Sequence, residues 1–191
     1  MRKTLLTLLV TLTFGLVACS ESTNEMEVRS EWFKKQELTQ ETALKAIDNF
    51  FDAQTFKITA FSLEEAGVVT MRLDVGPAQE QRALLLRTAA TSYAFSRMLF
   101  SNPGISKITT EMHGSIEAIG KLTKRFHILT SSLTRDQAGE IHWNKMEEQV
   151  AQDHAYDPVL SQFNIVKFNT DFDAFIDPQL YHKIYGEAPK R

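Results

Sequence analysis

The stretch Gly67-Val68-Val69-Thr70-Met71-Arg72-Leu73-Asp74-Val75-Gly76-Pro77 sets the architecture. Val69, Met71, Leu73 and Val75 alternate with Thr70, Arg72 and Asp74, which is the two-residue period of a strand with one apolar and one polar face. Gly76 closes the strand. Pro77 suits the first position of a helix, where a missing N–H costs nothing. Residues 77–101 are rich in Ala and Leu and predict a long helix, which Asn102-Pro103-Gly104 stops.

Working outward, residues 55–63 predict a strand joined to the first by Glu64-Glu65-Ala66-Gly67, a hairpin connection. Upstream, Ala43, Leu44, Ile47, Phe50 and Phe51 form one apolar stripe of a helix within residues 31–53. Thr39 is placed to cap it and Leu38 to staple onto Ala43. Trp32 and Phe33 either extend this helix or dock separately. Downstream, residues 105–112 predict a strand with Ile108, Thr110 and Met112 on one face. Residues 121–133 predict another with Leu122, Phe126, Ile128 and Thr130 on one face. Asn144 with Glu147 fits a capping box for a helix over 145–153, with Met146 and Val150 turned inward. After the Asp157-Pro158 turn the chain reads as an irregular aromatic tail. The order α-β-β-α-β-β-α predicts an α+β fold, an antiparallel four-stranded sheet packed against helices on one face.

Composition excludes several classes without selecting one. The chain has 191 residues, 43% of them apolar, which suffices for a buried core in one domain. A net charge of −3 gives no reason to expect nucleic acid as a partner. One cysteine rules out an internal disulfide framework and a Cys-based structural zinc site.

The first residues carry a more specific signal. Arg2 and Lys3 precede an uncharged apolar run from Leu5 to Leu16. Its 12 residues fall short of the roughly 20 that a membrane-spanning helix needs, and match the apolar region of a signal peptide. The run ends in Leu16-Val17-Ala18-Cys19, and Cys19 is the only cysteine of the chain. This resembles the lipobox of bacterial lipoproteins. The resemblance implies a diacylglycerol thioether on Cys19, cleavage between Ala18 and Cys19, and acylation of the new N-terminus. A thiolate is the nucleophile such a modification requires. Two or three acyl chains, at about 0.8 kcal/mol per buried CH₂, anchor firmly where one holds weakly. Ser20 follows the cysteine, as in lipoproteins sorted to the outer membrane facing the periplasm. The expected organisation is a signal peptide over 1–18, a lipidated cysteine and polar tether over 19–30, and a single domain over 31–191. Eleven flexible residues would reach roughly 20 Å from the bilayer. Cleavage removes Arg2 and Lys3 and no acid, so the charge falls from −3 to −5, which offers anionic headgroups no overall attraction.

The mature chain carries no catalytic motif. Its glycines are scattered singly, and neither a phosphate loop nor Gly-x-Ser-x-Gly occurs. Glu111/His113 and Glu140/His142 are i, i+2 pairs that share a face on a strand, but two ligands do not make a metal site. Residues Asn169 to Asp177 place oxygens at positions 1, 3, 5 and 9 of a calcium loop. The match fails at Ala174, where Gly is needed, and at Leu180, where a bidentate Glu belongs. Phe168, Phe172, Phe175, Tyr181 and Tyr185 give the tail a dense supply of rings, either packed over the sheet or exposed to dock a partner. The expectation is a lipid-anchored, non-catalytic binding or assembly domain with the membrane and an envelope protein as partners, as in a secretion, conjugation or exclusion apparatus. No cofactor is expected besides the covalent lipid. The alternative is a membrane-tethered hydrolase or small-ligand-binding domain using an Asp/Glu/His cluster, which a deep pocket holding His113, His127 or Glu111 side by side would favour.

Overall fold

A computed structural model of the chain describes residues 18–47, 56–117 and 124–186. The elements are α1 (Ala18–Phe33), α2 (Gln40–Ile47), β1 (Lys57–Leu63), β2 (Val68–Ala78), α3 (Gln81–Phe100), β3 (Lys107–Ile116) and β4 (Lys124–Thr134). There follow α4 (Arg135–Gly139), α5 (Trp143–Ala151), α6 (Asp157–Leu160), β5 (Asn164–Phe168), a 3-10 turn (Thr170–Phe175) and α7 (Pro178–Tyr185). The fold is α+β, with one mostly antiparallel sheet in the order β1-β2-β3-β4-β5.

Two corrections to the expected sheet have physical causes. β2 and β3 pair in parallel. α3 is 20 residues long, about 30 Å at 1.5 Å per residue, so it carries the chain back to the end where β2 began. The sheet also has five strands rather than four. Asn164–Phe168, expected as irregular, pairs with β4 across a register shift between Thr130 and Ser131. A five-residue strand broken by such an irregularity shows no alternation to read.

The expected helix over 31–53 is interrupted. α1 ends at Phe33 and α2 starts at Gln40, while residues 48–53 lie outside the described residues. Thr39 caps α2 as expected: the Thr42 amide donates to Thr39 Oγ1 (3.1 Å) and the Thr39 amide donates to Thr42 Oγ1 (3.0 Å). The stretch expected as a tether is helical, and Met26 is buried. Asn144 and Glu147 do not form a capping box, because His142 occupies the N-cap of α5. The reciprocal capping box lies instead at Thr134 and Gln137, opening α4.

The core lies between the sheet and α3. Val69, Met71, Leu73 and Val75 of β2 are at most 1% exposed, as their alternation requires. They join Ile108 and Met112 of β3 and Leu84, Leu85, Phe95, Met98 and Leu99 of α3 in one cluster. Gly114 sets how closely α3 approaches β3, since a Cβ there would stand 2.6 Å from Leu84 Cδ1. The β1–β2 turn needs Gly67 for a second reason: its φ is +72°, and a Cβ would meet the Gly104 carbonyl oxygen.

Asn102 and Arg135 close the ends of the long elements. Asn102, 2% exposed, donates from Nδ2 to the carbonyls of Phe33 (2.9 Å) and Gln36 (3.1 Å) and accepts from the Gly104 amide (2.9 Å). Arg135 donates to the carbonyls of Ile105 (2.6 Å), Phe100 (3.3 Å) and Asn102, and its guanidinium lies over the Phe100 ring. A cation at the C-terminus of α3 meets the carbonyls that the helix leaves unbonded.

Candidate functional site

The titratable side chains that the sequence singles out meet on the outer face of the sheet, opposite α3. Alternation along β2 sends Arg72 and Asp74 outward, and alternation along β3 sends Glu111 and His113 the same way. β4 shows a different rule. Phe126 is nearly buried and Ile128 fully so, as expected, but Leu129, Ser131 and Leu133 are buried too. Met112 pairs with Leu129 and His113 with His127, so Ile128 is one residue in excess on β4. This bulge corrects the expected face, moving Thr130 outward. Leu122 lies outside the described residues.

The register makes ladders across this face. One row runs Lys57, Asp74, His113, His127, and the next Ala60, Arg72, Glu111, Thr130, Lys167. His113 and His127 stand edge to face, with ring centroids 5.3 Å apart. His113 Nε2 meets Glu111 Oε1 at 2.7 Å, and Arg72 donates through Nε and Nη2 to Glu111 Oε2 at 3.0 and 2.9 Å. Arg125 pairs with Asp74 at 3.0 Å, and His127 Nε2 meets Thr130 Oγ1 at 2.9 Å. The bond with His113, then Arg72, holds the Glu111 carboxyl below its ordinary range against the opposing effect of burial. Burial, then the Lys167 ammonium and His113, holds His127 below its own.

The cavity nearest in size to a ligand pocket lies elsewhere. A cavity of about 610 Å³ opens between α1, the end of α3, α4 and α5, against Met26, Ser30, Arg97, Arg135 and Trp143. Both of its arginines, Arg97 and Arg135, are already engaged. Tyr93 donates to Glu147 Oε2 (3.0 Å), and Arg97 donates to Tyr93 Oη (2.8 Å) and Glu147 (2.9 Å). Burial pushes the Tyr93 hydroxyl far above its ordinary value, so this triad works as a neutral phenol bridging an ion pair. Arg135 serves the end of α3. None of Glu111, His113 and His127 lines this cavity.

Leu16 and Val17 lie outside the described residues, and Ala18 and Cys19 are the first two residues of α1. Phe168 and Phe172 are buried against each other and Phe126, so these rings offer no surface to a partner. Phe175, Tyr181 and Tyr185 are half-buried, and Tyr185 donates to Asp173 (2.7 Å). The acidic loop is likewise occupied: Asn169 caps the 3-10 turn and Asp177 caps α7 through the Leu180 amide (2.7 Å). Among the described residues no three His, Cys, Asp or Glu side chains converge as a metal site would need. No described helix is long and apolar enough to cross a membrane.

No protein-family model, curated protein or solved structure matches this chain.

Proposed function

We propose that this chain is a lipid-anchored cell-envelope protein whose α+β domain binds another envelope component without catalysing a reaction. The lipobox Leu16-Val17-Ala18-Cys19 carries the reading, because it uses the only cysteine of the chain at the position that needs a thiolate. Ser20 supports the outer membrane as the destination. The geometry favours binding over chemistry. General acid–base or nucleophilic catalysis needs a group held beside substrate in a site that excludes water. Here Glu111, His113 and His127 lie together on an open strand face, and Glu111 is taken up by Arg72 and His113.

Intact mass spectrometry of the protein extracted from its native membrane fraction tests the anchor. The expected species begins at Cys19 and carries added acyl mass. Cys19→Ala is expected to abolish both the lipid and the cleavage. An unmodified chain, or a variant still processed to the acylated form, would sink the reading. Site-specific crosslinking from the domain in native membranes tests the binding role, and an absence of any envelope adduct counts against it.

A further inference from the structure

The charge of the chain is segregated. The outer sheet face carries Lys57, Arg72, Lys107, Arg125 and Lys167, at least one from each of the five strands. Against these five cations it carries two carboxylates, Asp74 and Glu111. The face therefore holds +3 with both imidazoles neutral, on a chain whose total is −3. Three of the cations, Lys57, Lys107 and Lys167, are exposed and form no ion pair among the described residues. Lys57, Thr70, Arg72, Lys107, Arg125 and Lys167 on this face are all exposed, so no described element covers them.

We propose that this face is a docking surface for the headgroups of a bilayer rich in anionic phospholipid. The choice among anionic partners follows from what the face lacks. Tight protein interfaces are enriched in aromatic residues and Met at their centre and depleted of Lys. This face presents no Phe, Tyr, Trp or Met, and three of its five cations are lysines. Single-stranded nucleic acid is held by stacking on aromatic rings, and duplex DNA by an element that enters a groove; neither is offered. A layer of headgroup phosphates asks only for cations spread over an area. Five strands about 4.8 Å apart spread these over roughly 19 Å. Each Lys or Arg near such a surface contributes about 1 kcal/mol. The inference rests on the proposed function only in that the lipid anchor keeps a bilayer within reach.

The test uses the full chain with Cys19→Ser, so that its outcome does not depend on acylation. A fluorophore is placed on Thr70→Cys, exposed on the outer face, or on Gln152→Cys, exposed at the end of α5. Energy transfer to a labelled lipid is read in vesicles of phosphatidylcholine alone and with about 30% phosphatidylglycerol. The apolar N-terminus is common to all samples, so the readout is proximity of the face. Transfer from position 70, and not from 152, is expected to rise with phosphatidylglycerol and to collapse in about 0.5 M salt. Lys57→Gln, Lys107→Gln and Lys167→Gln together are expected to raise the concentration of phosphatidylglycerol-containing vesicles needed for half-maximal transfer by roughly a hundredfold. The matched set Lys34→Gln, Lys35→Gln and Lys145→Gln is expected to leave it unchanged. Equal transfer from position 70 in both vesicles, or equal loss in both variant sets, would overturn the proposal. So would a response of the position-70 label to poly-L-glutamate but not to vesicles, which would assign the face to an acidic polypeptide. The acyl mass on Cys19 is read separately, so failure of the anchor and failure of the face are distinguishable.

Discussion

His127 owes its position to a single extra residue. Without the bulge at Ile128, strict alternation from Leu129 would turn His127 into the core; with it, the imidazole faces His113 across the β3–β4 pair. Burial, helped by Lys167 and His113, makes the folded state disfavour a proton on this ring. The unfolded chain takes that proton from about pH 6.5 downward, so the stability from His127 is present above that value and is lost as pH falls. Glu111 acts in the same direction at lower pH. Its carboxyl is held down by His113 and Arg72, so its contribution is present above about 4.5 and lost as acid protonates it. Denaturant unfolding is therefore expected to show stability declining as pH falls through about 6.5, and His127→Gln to flatten that decline while leaving the drop below pH 4.5. An unchanged slope in His127→Gln would remove His127 from the account.

At the scale of elements, the inward faces were legible and the connections between them less so. Val69, Met71, Leu73 and Val75 announce both a strand and its buried side, because burial alone dictates that pattern. Nothing in the residues states that β3 returns parallel to β2; that depends on the length of α3 and where it packs. β5 is short and broken in register, and Ile128 violates alternation locally, so neither leaves a period to read. The candidate cluster was half visible. Glu111 and His113 share a strand face by spacing, but His127, Arg72 and Lys167 join them only through pairing across four strands. Net charge concealed the cationic face for a related reason, since a sum carries no position. The closeness of α3 to the sheet is a packing prediction of this scale. Gly114→Ala is expected to cost about 1–3 kcal/mol by overpacking against Leu84, Val75 and the Gly76 carbonyl. Leu84→Ala in the same chain should recover part of that loss, a coupling that a double-mutant cycle by thermal unfolding measures. Additive costs would mean that the Gly114–Leu84 contact does not set the spacing.

At the scale of the whole molecule, the geometry of α1 decides how the domain would stand on the proposed anchor. A free tether of eleven residues would leave the domain to tumble within roughly 20 Å of the membrane. The structure instead places Cys19, the position proposed to carry the lipid, at the start of α1, whose later residues are held to the domain. Met26 and Phe33 are buried, Ser30 Oγ donates to the Met98 sulfur at 3.7 Å, and Asn102 binds the carbonyls that end the helix. If Cys19 carries the proposed lipid, a domain docked on α1 holds a narrower range of orientations, which is what a one-sided cationic face needs to meet a surface. Asn102 is the residue on which this coupling turns, because Ala in its place takes a donor from the Phe33 and Gln36 carbonyls and the acceptor from the Gly104 amide. The cost is expected to be about 1–3 kcal/mol. Hydrogen exchange locates it: in the parent chain the amides of residues 30–36 are expected to exchange as slowly as those of α3. In Asn102→Ala they should speed up while those of β2 and β3 do not. Fast exchange of residues 30–36 in the parent chain would show α1 to be an undocked tether and would remove the orientational argument for the sheet face.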